Sequence, residues 1–384
     1  MPTRKLYYED SFLREFNARV LTCVPVEDRW RIELDATAFF PEEGGQTADT
    51  GTLGPALVTD VQEKDGYIFH YTDRPLTKGE LVRGSLHWED RWRKMQNHSG
   101  EHIFSGVVHR LYGAENCGFH LGRDGMTFDY NIELSAEQLR RAEDEANAAI
   151  WSNAPVCTHF PSSEELSSLS YRSKLDLKEN VRLVEIEGID LCACCAPHVK
   201  HTGEVGLLKI LSSMRHRGGI RLRAVCGIDA LRDYRSRCDN ESELSAMLST
   251  PQENLPAGVR KLLNSQSVLK EELSDLKLSS LRHMAEILPP TDGNRCLFVD
   301  TDSDGLRELV NTGRHACGGA FAAFCGTDTD GYRFALGAQN DDARQWLERM
   351  KNDLATRGGG SAELVMGNCR SSRDSIENFF ASSF

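Results

Sequence analysis

The 384-residue sequence lacks the long apolar segments that would place a protein in a membrane. No stretch approaches the roughly 18 uninterrupted apolar residues of a membrane-spanning helix. The first ten residues, from Met1 to Asp10, also lack the apolar region of a signal peptide. We therefore expect a cytoplasmic protein with no membrane partner.

The sequence also has fewer basic than acidic residues. The chain has 45 Lys and Arg residues against 58 Asp and Glu residues, a formal net charge of −13. This balance excludes a protein that coats nucleic acid without sequence preference, although it is compatible with a local basic face. Hydrophobic residues make up 40% and charged residues 27%, which is typical of a globular protein.

The pattern of the sequence predicts an α+β or α/β protein with several domains. Residues 1–90 contain short β-rich runs between turn residues, which predict a small N-terminal β-barrel with a Gly-rich loop. Residues 91–229 mix helical and strand patterns and predict an α/β core, in which Gly113 would end a first helix and the capping-box pattern of Ser135 and Gln138 would begin a second. A long, polar helical segment follows at 230–290, and short strands alternate with helices at 291–384, which predicts a C-terminal α/β domain.

The helical segment carries a heptad pattern. Apolar residues recur in steps of four and three from Leu255 to Leu276, over about three repeats. The pattern predicts either a homodimer formed through helix 255–287 or a helix packed on its own domain. Pro289 and Pro290 would end this helix.

Two separate segments carry residue types that bind metals. His98 and His102 are four residues apart, so a helix places both imidazoles on one face. The second segment holds three cysteines and a histidine within seven residues: Cys192, Cys194, Cys195 and His198. In a reducing compartment such a cluster indicates a metal rather than a disulfide framework, and nitrogen and sulfur ligands suit Zn²⁺. We choose His98, His102, Cys194 and His198 as ligands, although spacing alone does not decide among the three cysteines.

A competing interpretation concerns Glu101. The segment His98-x-x-Glu101-His102 also matches the inverted zincin signature, in which the glutamate is the general base of a metalloprotease. That interpretation requires no thiolate ligand, so it leaves the cysteine cluster without an explanation.

Three longer motifs occur in order, at Thr37–Gln46, Asn97–His102 and Cys194–Gly206. Together they resemble the editing domain of alanyl-tRNA synthetase and its free-standing relatives, the AlaX alanyl-tRNA editing proteins. The segments Gly118–Gly122 and Thr127–Asp129 resemble the same family. Nothing in the sequence resembles the aminoacylation domain of the synthetase, so activation of alanine with ATP is not expected.

The resemblance continues toward the C-terminus, with one departure. Arg215–Arg221 resembles the family, and the tail with Arg357–Ser361 is similar to the DHH-associated domain that ends its long-form members. The family usually has glycine and threonine before the second-segment histidine, where this chain has Ala196 and Pro197. The departure leaves open a non-catalytic tRNA-binding protein whose editing site has decayed.

The resemblance implies a zinc-dependent deacylase that acts in trans on mischarged tRNA(Ala), chiefly Ser-tRNA(Ala) and also Gly-tRNA(Ala). A synthetase pocket for alanine discriminates only about 10- to 200-fold against such neighbours, so a second hydrolytic site is needed. By resemblance, Thr37 and Gln46 lie beside the aminoacyl group, where they would hydrogen-bond the hydroxyl of serine. Gly44 and Gly45 would let backbone amides approach the ester closely.

Basic residues flank both metal-binding segments and would grip the acceptor stem of the tRNA. They are Arg91, Arg93, Lys94, Lys200, Lys209, Arg215, Arg217, Arg221 and Arg223. In the tail, the glycine-rich run predicts a turn that binds phosphate through its backbone amides. That run is Arg357, Gly358, Gly359 and Gly360.

Overall fold

The computed structural model describes residues 2–122, 125–173 and 181–382. The chain divides into two compact units, Met1–Glu241 and Ser242–Phe384. Both units combine helices with strands, which confirms the predicted mixed α/β multidomain class. Among the described helices, none is both long and apolar enough to cross a membrane.

The first unit opens with eight strands and one short helix. They are β1 (Arg4–Lys5), α1 (Leu6–Glu9), β2 (Glu15–Val26), β3 (Arg29–Leu34), β4 (Ala36–Thr37), β5 (Gly51–Leu53), β6 (Ala56–Lys64), β7 (Tyr67–Thr72) and β8 (Leu81–Leu86). Six of the strands form a closed barrel in the order β2-β3-β7-β6-β5-β8. Closure depends on the length of β2, which pairs with β8 through Glu15–Arg19 and with β3 through Val20–Val26.

The rest of the first unit combines a long helix with two antiparallel sheets. Its elements are α2 (Trp88–Tyr112), β9 (Asn116–Gly122), β10 (Gly125–Tyr130), α3 (Ala136–Trp151), β11 (Val156–His159), α4 (Ser163–Ser168), β12 (Leu183–Ile186), β13 (Asp190–Ala193), β14 (Leu208–His216), β15 (Gly219–Cys226) and α5 (Gly227–Leu248). One sheet has the order β14-β15-β10-β9 and the other the order β11-β12-β13. The residues of α2, α3 and the larger sheet share one apolar core.

Local sequence signals explain where the two main helices begin and end. Ser135 caps α3, because its hydroxyl accepts from the Gln138 amide while the Gln138 side chain accepts from the Ser135 amide. Helix α2 ends at Gly113, whose φ of 65° is the left-handed conformation that glycine adopts without strain. The sequence predicts both boundaries. Helix α2 also buries an unusual number of polar side chains between Arg91 and Ser105, and buried polar groups are a mark of a functional site.

The second unit consists of a long helix followed by a five-stranded sheet with helices packed on it. Its elements are α6 (Leu255–Glu286), β16 (Arg295–Phe298), α7 (Ser303–Gly313), β17 (Ala320–Thr327), β18 (Gly331–Ala338), α8 (Ala343–Asp353), β19 (Thr356–Gly360), β20 (Leu364–Cys369) and α9 (Arg373–Ser382). The sheet order is β16-β17-β18-β20-β19, so β19 lies at one edge.

The structure corrects the prediction of a phosphate-binding turn at Arg357, Gly358, Gly359 and Gly360. These residues form β19, where Arg357 lies opposite Asn368 and Gly360 lies opposite Val365. Successive amides of an extended strand point to opposite sides, so they do not converge on one anion. The glycines instead permit close strand pairing, since a Cβ at Gly358 would lie 2.4 Å from the Met366 carbonyl oxygen.

Candidate metal centre

Helix α2 brings the two predicted histidines to one face. His98 and His102 are separated by about one helical turn, and their ring centroids lie 5.5 Å apart. Both residues are 3% exposed, in the middle of the buried stretch of the helix.

The segment after β13 supplies the other two residues. Cys194 and His198 follow Ala193, the last residue of that strand. Arg182 fixes the backbone here, because its Nη1 donates to the carbonyl oxygens of Cys194 at 2.8 Å and Ala196 at 2.9 Å. The Ser11 hydroxyl donates to the His198 carbonyl oxygen at 2.8 Å and ties the same segment to the N-terminal part of the chain.

The four side chains converge on one point. Their nitrogen and sulfur atoms all lie within 4.8 Å of one another. The Cys194 Sγ lies 3.6 Å from His98 Nε2 and 3.4 Å from His198 Nε2. Of the three cysteines that the sequence left open, Cys194 is the one in this group, while Cys192 lies near His102 and Asp190 in a second group. The cluster of His98, His102, Cys194 and His198 is hereafter the metal centre.

Each histidine of the metal centre has an oxygen atom near its Nδ1. His98 Nδ1 lies 2.9 Å from Gln46 Oε1, and His198 Nδ1 lies 3.0 Å from Ser99 Oγ. His102 Nδ1 faces a carboxylate oxygen of Asp190 at 3.2 Å. His98 and His198 can thus direct Nδ1–H at an oxygen, which leaves their Nε2 lone pairs available to a metal, whereas His102 Nδ1 is close to a carboxylate without a hydrogen bond.

The electrostatics favour a thiolate at the metal centre. Burial raises the pKa of the Cys194 thiol, but the charges and hydrogen bonds of the three surrounding imidazoles together outweigh burial and hold that pKa well below its ordinary value. Burial lowers the pKa of His198 to about 3, so this imidazole is neutral. Burial also lowers the pKa of His102, but Cys192 and Asp190 raise it further than burial lowers it. A divalent cation bound by these four side chains would displace the protons that they carry.

A cavity of about 550 Å³ opens beside the metal centre. Its walls include His98, His102 and Cys194 together with residues from several elements. Prominent among these are Tyr8, Glu43, Gly44, Asn116, Phe119 and Arg182. The volume falls in the range of small-molecule sites, and three of the four side chains of the metal centre line it.

Comparison with known proteins agrees with this geometry. Residues 181–222, which include Cys194 and His198, match the family described as the Threonyl and Alanyl tRNA synthetase second additional domain. The alanyl-tRNA editing protein AlaX-L of Pyrococcus horikoshii is 28% identical, over 97% of this chain and 96% of that protein. The chain resembles an AlaX-type editing protein from end to end. This confirms the resemblance that the sequence motifs indicate.

The same region is similar to parts of alanine–tRNA ligases. The ligase of Ignicoccus hospitalis is 28% identical over 98% of this chain, and the ligase of Pyrococcus abyssi is 33% identical over 72% of it. The AlaX-like chain spans 42% of the first ligase and 31% of the second.

The glycine-rich motif of this AlaX-like chain forms a tight turn that positions Gln46. Gly44 and Gly45 have φ of 62° and 82°, and Glu43 bridges to Gln46 across them. The turn packs against β9, where the Leu121 amide donates to the Gly45 carbonyl oxygen at 2.8 Å. A Cβ at Gly45 would lie 2.2 Å from the Phe119 carbonyl oxygen, so only glycine fits. Gly44 lines the cavity, and Gln46 contacts the metal centre through His98.

Thr37 lies apart from the cavity lining. Its Oγ1 is 2.8 Å from His70 Nε2 and accepts from the Phe39 amide at 3.1 Å. The residue is fully buried at the end of β4. The structure therefore brings Gln46, but not Thr37, into contact with the metal centre.

Three of the predicted tRNA contacts are interior residues, which corrects that part of the prediction. Arg91, Arg93 and Lys94 are 1%, 7% and 3% exposed. Arg91 is paired with Asp49, and Arg93 Nε lies 2.7 Å from an Asp229 oxygen. Lys94 Nζ donates to the Ala48 carbonyl oxygen at 2.7 Å. These cations hold helix α2 in place and are not accessible to RNA.

The remaining predicted tRNA contacts lie nearer the surface. Lys200, Lys209, Arg215, Arg217 and Arg223 are exposed, and Arg221 is half-buried. Several have acidic neighbours: Lys200 with Asp10, Lys209 with Glu143, Arg215 with Glu133 and Arg221 with Asp129. Arg217 lies at the tip of the β14–β15 hairpin, with a φ of 48° that fits its turn.

Sequence reasoning missed the residues that support the metal centre. Ser99 and Asp190 orient His198 and His102, and Arg182 anchors the backbone of Cys194. Ser99 lies within the histidine motif and Asp190 just before the cysteines, so proximity was an available signal. Arg182 lies twelve residues before Cys194, and no spacing rule indicates its contact.

Proposed function

We propose that the chain is an aminoacyl-tRNA deacylase that clears mischarged tRNA(Ala) in trans, in the cytoplasm. Ser-tRNA(Ala) is the chief substrate and Gly-tRNA(Ala) a second one. The observation that carries the proposal is the buried cluster of three histidines and one cysteine beside a cavity. A relative named as an alanyl-tRNA editing protein, similar over almost the whole chain, supports the substrate class.

The donor set of the metal centre fits zinc. Three imidazoles and one thiolate have the number and softness that Zn²⁺ prefers, and the outer partners Gln46, Asp190 and Ser99 fix the ring orientations. His98, His102, Cys194 and His198 would hold the ion. When bound, zinc supplies Lewis acidity toward a carbonyl oxygen or a water molecule.

Recognition of serine is assigned to Gln46, which is buried behind His98 and follows the cavity-lining residues Glu43 and Gly44. Its Oε1 is engaged by His98, and its Nε2 is buried without a hydrogen-bond partner in the described part of the chain. A buried amide without a partner favours a ligand with an oxygen to accept from it, as the serine hydroxyl has and alanine does not. Thr37 would hydrogen-bond the serine hydroxyl only if its hydrogen bond to His70 were broken.

The hydrogen bonds of Glu101, which lines the cavity, argue against the protease interpretation because they occupy its carboxylate. Its Oε1 accepts from Ser105 Oγ at 2.6 Å and from Asn116 Nδ2 at 2.5 Å. A third and a fourth metal-binding side chain come from the cysteine segment, which the inverted zincin does not require. Pro197 does not disturb the convergence of Cys194 and His198, so the sequence departure gives no support to a decayed site.

The direct test is hydrolysis of Ser-tRNA(Ala), Gly-tRNA(Ala) and Ala-tRNA(Ala) by the purified chain. We expect loss of the seryl ester and slower loss of the glycyl ester, with the alanyl ester retained. Gln46→Ala should reduce the preference for serine, whereas Glu185→Gln on the exposed face of β12 serves as a matched control. Equal rates for all three esters, or none, would refute the proposed editing function.

A further inference from the structure

Arg182, the residue immediately before β12, has a buried donor atom without a hydrogen-bond partner in the described part of the chain. The residue is 6% exposed and lines the cavity. Its Nη1 is used by the Cys194 and Ala196 carbonyl oxygens, and its guanidinium lies over the Tyr8 ring at 5.1 Å. Its Nε, however, is buried with no hydrogen-bond partner among the residues that the structure describes.

The other arginine of the cavity behaves differently. Arg172 donates from Nε and Nη2 to the two oxygens of Asp190, both at 2.7 Å. Its charge is therefore balanced by a carboxylate within the protein. Arg182 has no carboxylate within ion-pair distance in the described ranges. Its unused Nε–H can therefore donate to a negatively charged oxygen of a ligand.

The location of Arg182 indicates which oxygen of the ligand would accept from its Nε–H. The guanidinium is hydrogen-bonded to the backbone of Cys194, a residue of the metal centre, and Arg182 lines the same cavity as His98, His102 and Cys194. An ester that reaches the metal centre brings its carbonyl oxygen into that region, whereas the nearest phosphate is separated from the ester by a ribose.

We propose that Arg182 is a catalytic residue whose Nε–H stabilises the oxyanion formed during ester hydrolysis, an inference that rests on the proposed deacylase function. Water adds to the ester carbon, and the carbonyl π electrons move to the oxygen that Arg182 binds. The carbonyl then re-forms, the bond to the ribose oxygen breaks, and that oxygen takes the proton that the water lost. The products are the free amino acid and a tRNA with its terminal hydroxyl restored.

A binding comparison tests this assignment without requiring turnover. One probe is a 3′-amide-linked seryl adenosine, which is neutral at the reacting carbon, and the other is the matching phosphonate, which is tetrahedral and anionic. Mimics of a transition state bind about 10² or more times as tightly as ground-state analogues. We expect wild-type protein to prefer the phosphonate and Arg182→Lys to lose most of that preference while binding the amide within about threefold of wild type.

The lysine variant is chosen because it separates the two uses of Arg182. An ammonium group can still donate toward the Cys194 and Ala196 carbonyl oxygens, but it does not also place a donor where Nε lies. Arg182→Gln, which removes the charge, is a second variant if the first is poorly folded. Glu185→Gln on the adjoining strand β12 is the control for folding, and zinc per chain is measured for every variant.

Kinetics provide an independent readout. Removal of one oxyanion donor typically lowers kcat by about 10²- to 10³-fold, so Arg182→Lys should lower kcat with KM nearly unchanged. Seryl adenosine, which lacks the phosphates of tRNA, should show the same loss as Ser-tRNA(Ala). A defect seen only with tRNA would assign Arg182 to a phosphate and overturn the proposal.

Two further outcomes would also overturn it. Loss of zinc from both Arg182 variants would make the residue a structural anchor of the Cys194 segment. Equal weakening of the amide and the phosphonate, or no preference for the phosphonate in wild type, would mean that no oxyanion is recognised. A wild type that binds the phosphonate tightly but leaves Ser-tRNA(Ala) intact would refute the proposed substrate while leaving the role of Arg182 supported.

Discussion

At the scale of single residues, the metal centre depends on side chains outside the four that would bind an ion. Ser99 Oγ accepts from the Val199 amide at 3.2 Å and lies 3.0 Å from His198 Nδ1. One hydroxyl therefore fixes both the ring of His198 and the backbone that follows it. Hydrogen bonds of this kind set the orientation and basicity of metal-binding histidines.

Ser99→Ala should weaken metal binding without emptying the centre. Loss of such a partner typically costs about 10- to 100-fold in metal affinity, because the imidazole is no longer held in one orientation. Titration of the zinc-loaded protein with a competing chelator measures the change. Ser152→Ala, which removes an exposed hydroxyl at the end of α3, is the control, and unchanged zinc affinity in Ser99→Ala would contradict the assigned role.

The buried cations of helix α2 give a stability prediction. Arg91 is paired with Asp49, and its Nη2 donates to the Ala38 carbonyl oxygen at 2.5 Å. Arg91→Ala leaves the Asp49 carboxylate buried beside Lys94 alone, so we expect the free energy of unfolding to fall by about 3–5 kcal/mol. Urea denaturation measures this change. A variant with unchanged stability and a weakened affinity for tRNA would contradict this prediction and would indicate that Arg91 contacts the RNA.

At the scale of secondary structure elements, the β14–β15 hairpin is the exposed basic element of the first unit. Arg215 and Arg217 project near its turn, and both are exposed. Each phosphate contact steepens the salt dependence of binding by about 0.7–0.9 in log–log slope. The double variant Arg215→Ala and Arg217→Ala should therefore flatten the slope for tRNA by about 1.5 if both residues contact phosphates.

Filter binding of tRNA across a range of salt concentrations measures these slopes. Arg74→Ala removes an exposed arginine that is paired with Asp73 on the barrel, and it should leave the slope unchanged. Identical slopes for the hairpin variant and the wild type would remove the hairpin from the tRNA interface.

Helix α6 carries an apolar stripe that remains exposed within its own unit. Leu269, Leu273 and Leu276 are 63%, 52% and 69% exposed. This exposure favours the coiled-coil interpretation for these heptads, whereas the C-terminal end of α6, with Leu281 and Ala285, packs on its own domain against α7. Leu269→Asp combined with Leu273→Asp should yield a monomer by light scattering, while Ser274→Asp should leave a dimer. A wild type that is already monomeric would refute dimerisation through this helix.

The elements also show what could be predicted from sequence. The capping box at Ser135 and the glycine stop at Gly113 are local signals, and the structure confirms both. The predicted turn at Arg357–Gly360 failed because glycine runs also occur where strands pair closely. The burial of Arg91 could not be foreseen, since its partner Asp49 lies in another element and only tertiary structure brings the two together.

The candidate site likewise contains some residues that the sequence predicts and others that only the tertiary structure reveals. His98 and His102 follow from helical spacing, and the two remaining members follow from the density of cysteines and histidine. The choice of Cys194 over Cys192 and Cys195 depends on the path of the chain after β13, which spacing does not determine. The supporting contact of Arg182 depends on pairing between distant segments.

At the scale of the whole molecule, a chain with a net charge of −13 is proposed to bind an anionic RNA. The structure leaves fewer basic residues of the first unit as tRNA contacts than the sequence predicts. Arg91, Arg93 and Lys94 are interior, and only part of the remaining predicted contacts is exposed. Binding would then rest on a local surface and on the cavity, rather than on overall attraction. All twelve cysteines are free thiols, so stability depends on packing and on the metal centre rather than on disulfides.

The most direct measurement compares zinc content and hydrolysis of Ser-tRNA(Ala) in the wild type and in Cys194→Ala. The account predicts one zinc per wild-type chain and rapid loss of the seryl ester with the alanyl ester spared. Cys194→Ala should lose the metal and the activity together, because it removes the thiolate on which the three histidines converge. One bound zinc with no hydrolysis by the wild type, or full hydrolysis by the metal-free variant, would contradict it.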